Sequence, residues 1–147
     1  PGYTAALAAR LDGICEVRVK EAENDEELKP GTVYIGPSGK QFEVTKGRSG
    51  LIAQVNQKSP LATLYKPSVD VMLMSLAKTG GPGVLGVVMT GMGIKELKAQ
   101  GAFAMAESEK TCIVYGMPRS IVEAGLADRI ELLPDIGQVI LECVTRR

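Results

Sequence analysis

The pattern of apolar and polar positions divides the chain into short elements. Val84 to Met89 is a nearly continuous apolar run, the pattern of a strand buried on both faces of a parallel sheet. Polarity then changes abruptly at Thr90-Gly91-Met92-Gly93. Upstream, Glu16 to Lys20 alternates with period two and reads as a half-exposed strand. Thr32 to Ile35 is a second short β-branched strand. Phe42 to Thr45 and Leu51 to Val55 form a hairpin around Gly47-Arg48-Ser49-Gly50. Ala5 to Leu11 is helical in propensity, with Thr4 as its N-cap and Gly13 to close it. Ser68 caps a second helix through Ala77, which is apolar almost all round and so is expected to lie buried.

The remainder is again α/β. Ile94 to Gln100 is helical, Ala102 to Ala106 is a strand, and Cys112 to Tyr115 reads as another. Helices from about Arg119 to Ala124 and from Pro134-Asp135 to about Val144 flank a strand at Arg129 to Leu133. The strand–helix–strand from Val84 to Ala106 has a length difficulty. A parallel crossover must travel back along about 20 Å of strand, at ~3.3 Å per residue. Seven helical residues cover only about 10 Å. Either the connection is unusual, or residues belonging between Gly93 and Ile94 are absent.

Composition narrows the chemistry. Lys plus Arg and Asp plus Glu number 17 each, so net charge argues for neither nucleic acid nor an anionic membrane. The acidic run Glu21 to Glu27 reads as a solvated loop, with a cation or partner face as the alternative. The three cysteines, Cys15, Cys112 and Cys143, have no metal spacing and read as reduced thiols of a cytoplasmic protein. No metal site or cofactor is indicated. The chain contains no histidine, so no Ser-His or Cys-His pair can be built from it alone.

Two glycine-rich stretches invite over-reading, and a third marks a candidate site. Gly36-Pro37-Ser38-Gly39-Lys40 lacks the leading glycine of a phosphate loop, and Gln41 stands where a magnesium-binding Ser or Thr belongs. It also lacks the last glycine of a nucleophile elbow. Gly81-Pro82-Gly83-Val84-Leu85-Gly86 spells Gly-x-Gly-x-x-Gly but opens a strand rather than a helix, so it is rejected as a dinucleotide site. Thr90 to Gly93 lies at the carboxyl end of a buried strand, where open α/β sheets place ligands.

The ordered motifs Pro1-Gly2-Tyr3-Thr4, Lys20-Glu21-Ala22, Pro30-Gly31-Thr32-Val33-Tyr34-Ile35, Lys66-Pro67-Ser68-Val69-Asp70-Val71, Thr90-Gly91-Met92-Gly93 and Val114-Tyr115-Gly116-Met117-Pro118-Arg119 together resemble one family. It is the catalytic domain of the chemotaxis response-regulator protein-glutamate methylesterases, the CheB family, and the resemblance covers residues 1–147. It implies a doubly wound, mostly parallel α/β sheet with helices on both faces and an antiparallel hairpin insertion. It implies hydrolysis of glutamate methyl esters, and in many members deamidation of glutamines, on the cytoplasmic helices of chemoreceptors. An N-terminal receiver domain, phosphorylated by a histidine kinase, is the expected regulatory partner. Neither nucleic acid nor membrane insertion is implied.

The family pattern carries over residue by residue only in part. Met92 matches the methionine whose backbone N–H serves the oxyanion hole, with Thr90, Gly91 and Gly93 shaping the turn. Lys66 and Ser68 match the rim of the substrate cleft, although Ser68 also reads simply as a helix cap. The family's Ser and His would fall upstream of Pro1. The catalytic aspartate normally follows Thr-Gly-Met-Gly as x-Asp-Gly, whereas Ile94 and Lys95 stand here. The chain is therefore expected to lack the family's N-terminal strand and part of the loop after Gly93. The alternative is a non-catalytic receptor- or regulator-binding module that has lost the triad.

Overall fold

The computed structural model describes residues 2–89 and 94–145. They form two compact units, Pro1–Thr79 and Gly80–Arg147.

In the first unit, helix α1 (Tyr3–Asp12) packs on strand β1 (Arg18–Glu21), which pairs in parallel with β2 (Thr32–Ile35). The residue before α1 is Gly2, at φ 94°, a left-handed geometry that favours glycine. Thr4 is thus not the cap but a residue of the first turn. Its hydroxyl donates to a Glu21 carboxylate oxygen and accepts from Ser38 N, tying α1 to β1 and to the turn after β2.

Strands β3 (Gln41–Lys46) and β4 (Leu51–Asn56) form the expected antiparallel hairpin, in register from Gln41↔Asn56 to Lys46↔Leu51. Helix α2 (Val69–Thr79) packs on β3 and buries Val71, Leu73, Ser75 and Ala77. An aliphatic core of Ala22, Phe42, Val44, Ala53 and Val55 results, with Met72 and Leu76 packed against it. Burying such side chains stabilises by about 1.5–3 kcal/mol each for the larger ones.

The acidic run does more than face solvent. Its backbone lies along the outer edge of β4, with Asp25 N donating to Ala53 O, Ala53 N to Glu26 O and Leu28 N to Leu51 O. The Asn24 side chain accepts from Val55 N at 2.8 Å. An edge strand is thereby covered rather than left open. Lys20 offsets the local negative charge through Glu23 at 2.7 Å and Glu26 at 2.8 Å.

The second unit is a three-stranded parallel sheet of β5 (Leu85–Val88), β6 (Phe103–Glu107) and β7 (Arg129–Glu131), in the order β5-β6-β7. Helices α3 (Lys95–Ala99), α4 (Gly116–Glu123) and α5 (Leu133–Thr145) connect and follow these strands. Met105 of β6 packs with Ile136 and Val139 of α5, and Cys143 lies against the same cluster. The α/β class, the parallel pairing and the antiparallel hairpin all hold.

Two expectations for this unit do not. Cys112 to Tyr115 is not a strand, although its composition is right. Thr111 N and Cys112 N both turn back to Ser108 O at 3.1 Å, so the run leaves β6 as a turn. Ile113 and Val114 are exposed, and no neighbouring strand pairs them among the described residues. Helix α4 accordingly starts at Gly116 rather than near Arg119, and β7 stops at Glu131 rather than reaching Leu133.

The crossover from β5 to β6 contains α3. β5 and β6 pair in parallel from Leu85↔Phe103 to Val88↔Ala106, with only five helical residues between them. Gly101, at φ 80°, closes α3 in left-handed geometry, and its N–H donates to Lys98 O. Asp128 then stitches the start of β6. One carboxylate oxygen accepts from Lys98 Nζ at 2.6 Å and from Ala104 N at 2.7 Å.

Two outcomes follow from these contacts. Ser75 Oγ accepts from Val44 N at 2.8 Å and donates to Met72 O at 2.7 Å, inside the core. Ser75→Ala leaves that buried N–H unpaired and should cost about 1–3 kcal/mol in urea denaturation. A loss within experimental error would show that Val44 N–H finds another acceptor. For Asp128, burial pushes the carboxyl up, but Lys98 and the Ala104 N–H together outweigh it and hold the group below its ordinary value. A lowered folded-state value stabilises above the unfolded value, near pH 3.9, and that contribution is lost as pH falls through the folded one. Asp128→Ala should therefore cost about 1 kcal/mol at pH 7, with the deficit shrinking below about pH 4. A deficit independent of pH would contradict the charge-based account.

Candidate functional site

Two places carry the features that point to chemistry, one in each unit. In the second unit it is the carboxyl edge of the parallel sheet. β5 ends at the buried Val88, and Met89 beyond it is half exposed. Thr90, Gly91, Met92 and Gly93 lie outside the described residues. The chain is described again at Ile94, which is fully buried, and α3 then presents Leu97 to the same interior. Gly86 of β5 makes room for both. A Cβ there would lie 2.9 Å from Ile94 Cδ1 and 3.7 Å from Leu97 Cδ1.

The same edge is held from the β6 side. Ser108 N donates to Glu131 O at 2.8 Å, Leu133 N to Thr111 Oγ1 at 3.0 Å, and Cys112 Sγ to Met89 O at 3.3 Å. The turn after β6 therefore ties β7, the start of α5 and the residue before Thr90 together. Cys112 has a structural partner that its sequence spacing did not disclose. Glu107, at the carboxyl end of β6, is the one buried acidic side chain among the described residues. Lys95 is exposed at the first turn of α3.

In the first unit the place is the segment Tyr65-Lys66-Pro67-Ser68. Ser68 is buried immediately before α2, and its carbonyl accepts from Met72 N, as a residue at the N-cap position does. Its backbone N–H donates to Gln41 Oε1 at 2.8 Å. Lys66 is exposed, and its ammonium donates to Gln57 O at 2.8 Å. Ser68 also borders a cavity of about 180 Å³ that Tyr34, Phe42, Pro67 and Met72 line. The cavity is largely apolar and suits a small aliphatic group better than an ion.

Gln41 was invisible as a site residue from sequence. In the alternation Gln41, Glu43, Thr45 it belongs with the outward polar set, yet it is as buried as Phe42 beside it. Its partners lie more than twenty residues further along, where no local pattern reaches.

Among the described residues, no cluster of three or more His, Cys, Asp or Glu could hold a metal ion, and no helix is long and apolar enough to cross a membrane. None of the groups with a displaced pKa, Lys20, Glu23, Arg119 and Asp128, belongs to either place.

Comparison with known proteins gives the family. A family model described as CheB methylesterase matches residues 1–140. The chain is 53% identical to the protein-glutamate methylesterase/protein-glutamine glutaminase of Desulfitobacterium hafniense, with 100% of this chain and 39% of that protein aligned. It is 45% identical to a protein of the same description, numbered 2, from Nitratidesulfovibrio vulgaris, with 95% of this chain and 39% of the other aligned. The crystal structure of the Thermotoga maritima CheB methylesterase catalytic domain matches with a TM-score of 0.89 at 34% identity, covering 97% of this chain and 78% of that one. The chain spans 39% of the length of each of the two curated relatives. With the parallel sheet, the hairpin and the ordered motifs in place, a family model matching residues 1–140 means that the chain belongs to the CheB methylesterase family.

Proposed function

We propose that this chain, residues 1–147, is catalytic-domain sequence of a protein-glutamate methylesterase that acts on the cytoplasmic helices of methylated chemoreceptors. The reaction is ester hydrolysis: water cleaves the glutamate methyl ester to a carboxylate and methanol. Deamidation of receptor glutamines is the companion activity, because an amide passes through the same tetrahedral chemistry. The observation that carries the reading is the family match over nearly the whole chain, with a relative of that description at 53% identity.

In this reading the nucleophilic serine and its histidine come from sequence outside the 147 residues, since the chain has no histidine. Serine attacks the ester carbonyl, methanol leaves, and water hydrolyses the acyl-enzyme. Met92 N–H faces the developing oxyanion, and Thr90, Gly91 and Gly93 give the turn its shape. A preorganised donor of this kind lowers the barrier by about 3 kcal/mol. Lys66 and Ser68 stand at the rim of the substrate cleft. The aspartate that orients the imidazole belongs to a short segment between Gly93 and Ile94. The alignment with the Desulfitobacterium protein leaves room for an internal segment of this kind. It runs over 153 positions while taking in all 147 residues of this chain, so at six positions the relative has a residue and this chain has none.

The relatives' additional length leaves room for a receiver domain that restrains the esterase until a histidine kinase phosphorylates it. Its substrate helices place the enzyme in the cytoplasm.

The test is methanol release from methylated receptor by the full-length protein. Release above the uncatalysed control, abolished by a serine-directed inhibitor, is the expected result. Binding to receptor without any release would instead favour a non-catalytic module. Met92→Pro, which removes the N–H, should lower kcat by about a hundredfold or more, whereas Met92→Ala should stay within a few-fold. Equal losses in the two variants would mean that the side chain, not the backbone N–H, is what matters.

A further inference from the structure

Gln41 is completely buried at the start of β3, and both polar ends of its amide go to one loop. Nε2 donates to Tyr65 O at 3.0 Å, and Oε1 accepts from Ser68 N at 2.8 Å. One side chain thus clamps a four-residue segment at its first and last members. Gly39 N donates to Lys66 O at 3.0 Å between them. On the other side the segment is open. The Tyr65 ring is 76% exposed and Leu64 before it is 99% exposed. A buried amide is expensive unless every polar atom is paired, and a leucine would fill the same space at lower cost. The structure thus uses a buried amide to hold a loop whose Leu64 and Tyr65 lie exposed.

We propose that Gln41 is a positioning residue for the receptor substrate. It holds Tyr65-Lys66-Pro67-Ser68 in one conformation, so that Tyr65 and Lys66 present an aromatic face and a cation to the helix that carries the methyl ester. This rests on the reading above that Lys66 and Ser68 border the substrate cleft. Ordering a free loop on binding costs about 1–2 kcal/mol of backbone entropy for each residue fixed. A loop already fixed avoids that cost, so the clamp acts on substrate affinity more than on turnover.

The experiment is steady-state methanol release by the full-length protein and its Gln41→Leu, Gln41→His and Tyr65→Ala variants, with methylated receptor as substrate. Gln41→Leu should raise KM roughly tenfold and leave kcat within about twofold, the pattern of lost ground-state binding. Gln41→His should restore KM, because a neutral imidazole also offers one donor and one acceptor. Tyr65→Ala, on the exposed side and without bearing on folding, should raise KM several-fold. Amide exchange at Ser68 supplies a readout independent of activity. It should quicken by roughly tenfold or more in Gln41→Leu and return to normal in Gln41→His.

An unchanged KM in both Gln41→Leu and Tyr65→Ala, in a protein that does release methanol, overturns this inference and leaves the proposed activity standing. A loss in Gln41→Leu that falls on kcat and thermal stability alike, with Tyr65→Ala normal, also overturns it, since Gln41 is then only a packing residue. No methanol release by the unsubstituted protein overturns the proposed activity itself, and this inference falls with it.

Discussion

The second unit depends on how closely α3 can approach β5. Gly86 eases that approach, because a Cβ there would lie 2.9 Å from Ile94 Cδ1. The approach matters because β5 and β6 are parallel. The chain must leave β5 at one edge of the sheet and start β6 at the other, with α3 between them. A side chain at position 86 would make the end of the Ile94 side chain shift. Ile94 is where the described chain resumes after Thr90 to Gly93.

Elsewhere the fold uses polar side chains, some buried and some at the surface, to fix backbone rather than to fill space. Ser75 holds β3 to α2, Asn24 holds the acidic run to β4, and Asp128 holds β6 to Lys98. Gln41 does the same for the loop before α2. In each case a side chain supplies a partner to backbone at the end of an element or along the edge of a pair, where no strand or helix partner is available. The aliphatic core supplies the bulk of the stabilisation, and these few contacts select one arrangement of the loops.

Much of this could be read from the sequence, and the failures have physical causes. The hairpin was legible because two alternating runs flank a Gly-rich turn, and α2 because its apolar stripe follows a proline and a serine. The Cys112 to Tyr115 segment was misread because β-branched composition signals a strand only where there is a neighbour to pair with. Here Ile113 is 99% exposed and the backbone turns back on Ser108. Thr4 was misread as a cap because Gly2, in left-handed geometry, already starts the helix, which frees the threonine hydroxyl for Glu21 and Ser38. The acidic run was correctly a non-strand, but its pairing with β4 depends on contacts about thirty residues apart along the chain, as for Asn24 and Val55. Local motifs singled out Thr90 to Gly93 and Lys66 to Ser68 as candidates. They could not pick out Gln41 or Cys112, whose partners are 24 and 23 residues away.

The central claim is that the turn after β5 belongs to a hydrolytic site whose orienting aspartate lies between Gly93 and Ile94. Peptide mapping of the purified full-length protein by mass spectrometry tests it most directly. The account predicts a peptide that continues from Thr90-Gly91-Met92-Gly93 through a short aspartate-containing segment before Ile94-Lys95. A peptide in which Gly93 is joined directly to Ile94 would contradict it. Lys95 would then stand at the aspartate's place, and the chain would lack the group that orients the imidazole.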